Sequence, residues 1–115
     1  MTITDCIKSE LIALGIYPHY HGHRQSLLAI ELALEDENRL LDMTKQIYWV
    51  VAKACSCDRP CVERNIRTAI RIAWDTNPSR LCELAGRQFN APPTVSDFIS
   101  ILTAYIQRTY LSLSQ

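Results

Sequence analysis

Residues 55–74 read CSCDRPCVERNIRTAIRIAW, and the parsing of this stretch decides the fold. Asp58 is placed to accept a hydrogen bond from the free backbone N–H groups of a following helical turn, and Pro60 falls where a missing N–H costs nothing. A helix is therefore predicted over about Arg59 to Trp74. At steps of about 100° per residue, Val62, Ile66, Ala69, Ile70 and Ala73 share one face, while Glu63, Arg64, Arg67, Thr68 and Arg71 share the other. One face packs, and the opposite one presents a mostly cationic row.

Working outward, Leu40, Leu41, Met43, Ile47, Val50 and Val51 predict a preceding helix that ends near Cys55, because Ser56, Cys57 and Asp58 favour a turn. Further upstream, Thr4 is the expected cap of a first helix carrying Ile7, Leu11 and Leu14, with Gly15 as its stop. Residues 15–23, GIYPHYHGH, hold a proline and two glycines and read as a loop. Leu27, Leu28, Ile30, Leu32 and Leu34 then mark a second helix that runs into the acidic EDEN at 35–38.

Downstream, Asn77-Pro78 repeats the cap-then-proline signal for a short helix closed by Gly86, and Ala91-Pro92-Pro93 reads as an extended connector. Thr94 with Asp97 resembles a capping box before a last helix with Phe98, Ile99, Ile101, Leu102, Tyr105 and Ile106 as its core stripe. No strand pattern of any length is present. The expectation is an all-α, six-helix bundle forming one domain over residues 1–115.

Composition narrows the function. Lys plus Arg equals Asp plus Glu at 12 each, so any anion-binding surface must come from local segregation of charge. Arg59, Arg64, Arg67 and Arg71 crowd one region, whereas Glu31, Glu35, Asp36, Glu37 and Asp42 crowd another. Five cysteines, an odd number, together with no signal peptide and no apolar run near the roughly 20 residues of a bilayer span, predict a cytoplasmic chain with free thiols and no membrane partner.

Two amphipathic helices joined by roughly four residues, with small Ala52 where they approach, carry the signature of a helix-turn-helix. In that motif the second helix enters the major groove of duplex DNA and its N-terminal residues reach base edges. Arginine can donate twice to guanine and glutamate can accept from cytosine, so Glu63 and Arg64 are the expected base readers. Arg59, Arg67 and Arg71 are the expected phosphate contacts, with Lys53 as a weaker one.

The stretch from Leu40 to Trp74 resembles the C-terminal DNA-binding effector domain of the stage-zero sporulation response regulator. Met43-Thr44-Lys45, Ala52-Lys53, Val62-Glu63-Arg64, Ile66-Arg67, Ala69-Ile70 and Ala73-Trp74 fall in family register. Leu14-Gly15-Ile16, His19, Gly22 and Ala29-Ile30 resemble its first loop and second helix, and Pro93-Thr94 with Ser96-Asp97-Phe98-Ile99 resemble the start of its last. The resemblance implies a six-helix effector domain of response-regulator type, unrelated to winged helices. It also implies binding to a short DNA box, often as tandem copies or dimers, and contact with the sigma factor of RNA polymerase.

By position, Glu63 and Arg64 match the residues that the family uses at base edges. Cys61 stands where the family carries an arginine; a thiol cannot make the bidentate guanine contact, so altered specificity is expected at that base. Tyr48-Trp49 replaces an aromatic-proline pair. The family's receiver domain, with its phosphorylatable aspartate, has no counterpart in this sequence, so switching by that route is not expected.

The cysteines and histidines allow other readings. Cys55, Cys57 and Cys61 with Cys82 lack the paired CxxC spacing of a structural zinc site, and small buried thiols are the commoner outcome. His19, His21 and His23 alternate and would point one way in an extended loop; the expected role for His19 is instead a hydrogen bond that holds the loop. No Gly-rich phosphate loop and no nucleophile with an orienting group is present, so no cofactor, metal, small-molecule substrate or catalysis is expected. The remaining alternative is a protein-interaction module that keeps the fold without operator recognition, with the acidic stretch from Glu31 to Asp42 as its surface.

Overall fold

The computed structural model describes residues 1–111, so residues 112–115 of the expected domain lie outside the described residues. Among the described residues there is no strand, and six α-helices follow one another: α1 (Ile3–Ala13), α2 (His21–Glu35), α3 (Trp49–Ala54), α4 (Arg59–Thr76), α5 (Pro78–Ala85) and α6 (Val95–Ile106). The all-α expectation holds. The core is one cluster, with Phe98, Ile7, Leu11, Ile30, Ile66, Ile70, Leu81 and Ile99 among its buried side chains. Burying such side chains, at roughly 25 cal/mol per Å² of apolar surface, offsets most of the conformational entropy of ordering the helices.

Helix α2 runs through the middle, packing on α4, α6 and α1. At Gly22 it comes close to α4: an added Cβ would lie 2.5 Å from the backbone oxygen of Asn65 and 2.9 Å from the Ala69 side chain. Only a residue without a side chain lets the two backbones come that near.

Several elements depart from the sequence reading, each for a local reason. Thr2, not Thr4, caps α1 in a full capping box with Asp5, and the Thr4 hydroxyl instead donates to Glu31 Oε2 at 2.7 Å. The expected 15–23 loop is shorter, because α2 already begins at His21; the glycine read as a breaker is Gly22, inside the first turn. Its histidines therefore do not alternate along an extended strand. His21 is exposed, whereas His23 is buried and its Nδ1–H donates to the Ile16 carbonyl at 2.9 Å, which is the loop-holding role expected of His19. His19 is exposed and lies against Tyr20.

The helix expected across Leu40 to Val51 is three pieces: a 3₁₀ stretch at Glu37–Asp42, a π turn at Thr44–Tyr48, and α3. Each change of pitch rotates the side chains that follow. Ile47 and Val51 reach the core, while Leu41 is 86% exposed. At the other end Thr94 Oγ1 accepts from the Asp97 N–H at 3.1 Å and caps α6, whose Phe98, Ile99, Leu102 and Ile106 are buried; Ile101 and Tyr105 are half-buried at its rim.

The bundle is also tied by one buried charge. Glu10, 6% exposed, accepts from Arg80 Nη2 at 2.6 Å and from the Tyr110 hydroxyl at 3.3 Å. Arg80 further donates to the Tyr105 hydroxyl at 3.1 Å, so α1, α5 and α6 share one network. The bond to Glu10, first among several, pushes the Arg80 guanidinium further toward its charged form. Arg80→Ala leaves the Glu10 carboxylate buried without its cation and is expected to destabilise the fold by about 2 kcal/mol, between a surface and a fully buried pair. Urea denaturation measures this, and Glu10→Gln in the same chain should recover part of the loss.

Candidate nucleic-acid interface

Helix α4 begins where α3 ends, and the turn between them is held by backbone bonds from both sides. The Cys57 N–H donates to the Ala52 carbonyl at 3.0 Å and the Ser56 N–H to that of Lys53 at 3.4 Å, a Schellman closure. Its left-handed position is filled by Ser56 at φ 54° rather than by glycine. Asp58 Oδ1 then accepts from the Cys61 N–H at 2.9 Å and caps α4, with Pro60 in the first turn. The helix runs two residues beyond the expected end, to Thr76.

The two faces separate as expected from the spacing. Val62, Ile66, Ala69, Ile70 and Ala73 are buried. Arg59, Arg64, Arg67, Thr68 and Arg71 are exposed, and Glu63 is half-buried. Arg64, Arg67, Thr68 and Arg71 line one shallow surface hollow, so three of the guanidinium groups are brought together.

Two contacts organise the row. Glu63 and Arg67 form an i,i+4 ion pair with the guanidinium donating, and the Thr68 hydroxyl donates back to the Arg64 carbonyl at 3.0 Å. At the helix start, the Arg59 guanidinium sits 5.7 Å from the centre of the Trp49 ring, and Trp49 is 53% exposed. Lys53 is exposed on the last turn of α3.

A wider groove flanks the row. Glu63, Arg67 and Arg71 line one wall and the Pro92–Ser96 segment the other, enclosing about 450 Å³. Tyr48 also lines it, and its phenol is pushed up by burial and then by the nearby Glu63 carboxylate. Sequence periodicity did not bring Tyr48 or the Pro92–Ser96 connector to this place. Their approach is made across the bundle, between residues far apart in the chain, and no pattern in the sequence signals it.

The cysteines fill the turn. Cys55, Cys57 and Cys61 are half-buried free thiols. Asn65 Nδ2 donates to Cys61 Sγ at 3.5 Å, and Gln25 Nε2 lies 3.8 Å from Cys57 Sγ. Burial, then the neighbouring Cys61, pushes the Cys57 thiol up, so it is a poor thiolate. Among the described residues no three His, Cys, Asp or Glu side chains are grouped to hold a metal ion.

The acidic stretch is engaged within the chain. Glu31 accepts from Thr4, Asp36 caps the 3₁₀ stretch through the Asn38 N–H, Glu37 accepts from Gln107, and Asp42 accepts from the Lys45 N–H. These acids are thus held by two local bonds, at Asp36 and Asp42, and by two bonds from distant parts of the chain, at Glu31 and Glu37.

An all-α domain with one helix buried along one side and cationic along the other has the form of a helical effector domain with a surface suited to an anionic partner. The chain is a member of the family described as Sporulation initiation factor Spo0A C terminal, whose model matches residues 7–106. Membership implies DNA-binding transcription regulation in sporulation, in a family that is not one of enzymes. No helix among the described residues is long and apolar enough to cross a membrane.

Because Asp58 sets the first turn of α4, Asp58→Ala is expected to lower stability by about 1 kcal/mol while Asp58→Asn retains most of it. Thermal denaturation of the two variants checks the difference.

Proposed function

We propose that residues 1–115 form a single domain that binds duplex DNA sequence-specifically and regulates transcription in sporulation. In this reading α3, the turn at 55–58 and α4 make a helix-turn-helix, with α4 lying in the major groove. The observation that carries it is the exposed row of Arg64, Arg67, Thr68 and Arg71 on a helix whose opposite face is wholly buried. A groove-binding helix needs both at once: a rigid seat and an unobstructed cationic side.

Glu63 and Arg64, in the first two turns, are assigned to base edges, and Arg59, Arg67 and Arg71 to phosphates, with Lys53 beside them. The Glu63–Arg67 pair must open for Glu63 to accept from a cytosine. An exposed i,i+4 pair is worth only about 0.3–0.5 kcal/mol, against about 1–3 kcal/mol for a good base contact, so the exchange is favourable. Arg67 is then released toward the backbone. Trp49 beneath Arg59 limits the directions in which that guanidinium can turn.

Tandem or dimeric occupation of the DNA and contact with an RNA polymerase sigma factor complete the reading; both rest on the family resemblance. Neither a cofactor nor a small-molecule substrate has a place in it.

Fluorescence anisotropy with duplexes carrying the family's box and scrambled controls, across a salt series, tests the proposal. Binding that falls steeply with salt and favours the box is expected; no binding to either duplex at low salt would remove it. Arg64→Ala should lose about 1–3 kcal/mol on the box and relax discrimination at one base pair, whereas Arg71→Ala should weaken all duplexes alike. Equal effects of the two substitutions would sink the assignment of Arg64. Cys61→Arg should sharpen preference for a guanine at one position of a randomised box, read by selection and sequencing, and an unchanged preference would show that residue 61 is not a reading position.

A further inference from the structure

The first turn of α2 has unused capacity for an anion. Its N-cap residue, Tyr20, makes no side-chain cap bond, and no acidic residue lies in the turn, so the positive end of a 15-residue helix is left uncompensated. His21, Arg24, Gln25 and Cys55 line a hollow of about 260 Å³ at that place. Among the described residues no ion pair engages Arg24, which is exposed.

Gln25 supplies an independent sign of a ligand. It is 4% exposed, and its Oε1 is buried without a hydrogen-bond partner, while its Nε2 makes only the long contact to Cys57 Sγ. An unsatisfied buried amide of this kind is costly unless something completes it. A half-turn about the last side-chain bond exchanges the acceptor for an N–H donor, and an anion in the hollow would then satisfy it.

The location ties this hollow to α4. Gly22 locks the same turn against the Asn65 backbone, and Cys55 belongs to the turn between α3 and α4. A second hollow, lined by Tyr20, His21, Asn65 and Thr68 among others, shares His21 with the first and Thr68 with the cationic row. The spacing between the two sites is therefore fixed by backbone packing rather than by flexible side chains.

We propose that the first turn of α2, with His21, Arg24 and Gln25, is a second phosphate-binding site that takes a backbone phosphate of the same duplex whose bases α4 reads. The guanidinium of Arg24 and the imidazole of His21 donate to the phosphate oxygens, and the helix end adds its free N–H groups. The inference rests on the DNA-binding reading above and adds to it an anchor outside α3 and α4. Its role is to set register along the duplex, not to discriminate bases.

The test is the salt dependence of anisotropy for the full chain and Arg24→Gln, with Arg24→Lys and the α1 surface variant Lys8→Ala alongside, on box and scrambled duplexes. Arg24→Gln should lose about tenfold in affinity equally on both duplexes and lower the salt slope by about one, with unchanged thermal stability. Arg24→Lys should keep most of the slope, and Lys8→Ala all of it. A box duplex with methylphosphonate linkages introduced one at a time should, at one position, weaken the parent chain as Arg24→Gln does and leave Arg24→Gln unaffected.

An unchanged slope in Arg24→Gln, in a chain that binds DNA normally, overturns this site alone. Failure of the parent chain to bind any duplex overturns the DNA-binding reading and this site with it. Inorganic phosphate that shifts the Arg24 side-chain resonances, with no Arg24→Gln effect on DNA, would make it a free-anion site and also overturn the proposal.

Discussion

Everything in this fold is referred to the crossing of α2 and α4 at Gly22. A methyl group there would meet the Asn65 backbone oxygen at 2.5 Å, and a backbone cannot yield as a flexible side chain can. The crossing seats the buried stripe of α4 on the central helix and leaves the arginine row on the outside. It also fixes the first turn of α2 beside that row. Relaxing this one contact would separate the two surfaces.

With equal numbers of acidic and basic residues, affinity for an anion depends on keeping the charges apart. Bonds within the chain do this. Glu31, Asp36, Glu37 and Asp42 are spent on caps and tethers, whereas Arg64, Arg67 and Arg71 stay on one exposed helix face. Glu63 is the exception within the row, and its i,i+4 pair with Arg67 is of the weak, solvent-accessible kind. The resting state thus holds Arg67 ordered at little energetic cost.

The readable parts of the chain were those governed by short-range physics. The five-residue stripe of α4, the Asp58 and Asn77 caps with their prolines, and the Gly86 stop are dictated within a turn or two of helix, and they appear as the pattern indicates. The stretch from Leu40 to Val51 departs from its pattern because apolar spacing assumes one pitch, and changes from 3₁₀ to π to α move Leu41 outward while Ile47 and Val51 turn in. Gly22 departs from its pattern for a different reason. A glycine that permits close approach looks, in sequence, the same as one that breaks a helix.

The sequence by itself determined the helical class, the two-faced character of α4 and the residues on its cationic side, since hydrophobic periodicity and capping are local. Tertiary structure alone decided that His23 rather than His19 holds the first loop, that Tyr48 and the Pro92–Ser96 segment flank Glu63 and Arg67, and that Gln25 is buried beside the turn with an unpartnered oxygen. These relations join residues far apart in the chain, and only the packing of one helix on another sets their distances. A helix carries its own pattern, but its neighbours are chosen by the whole core.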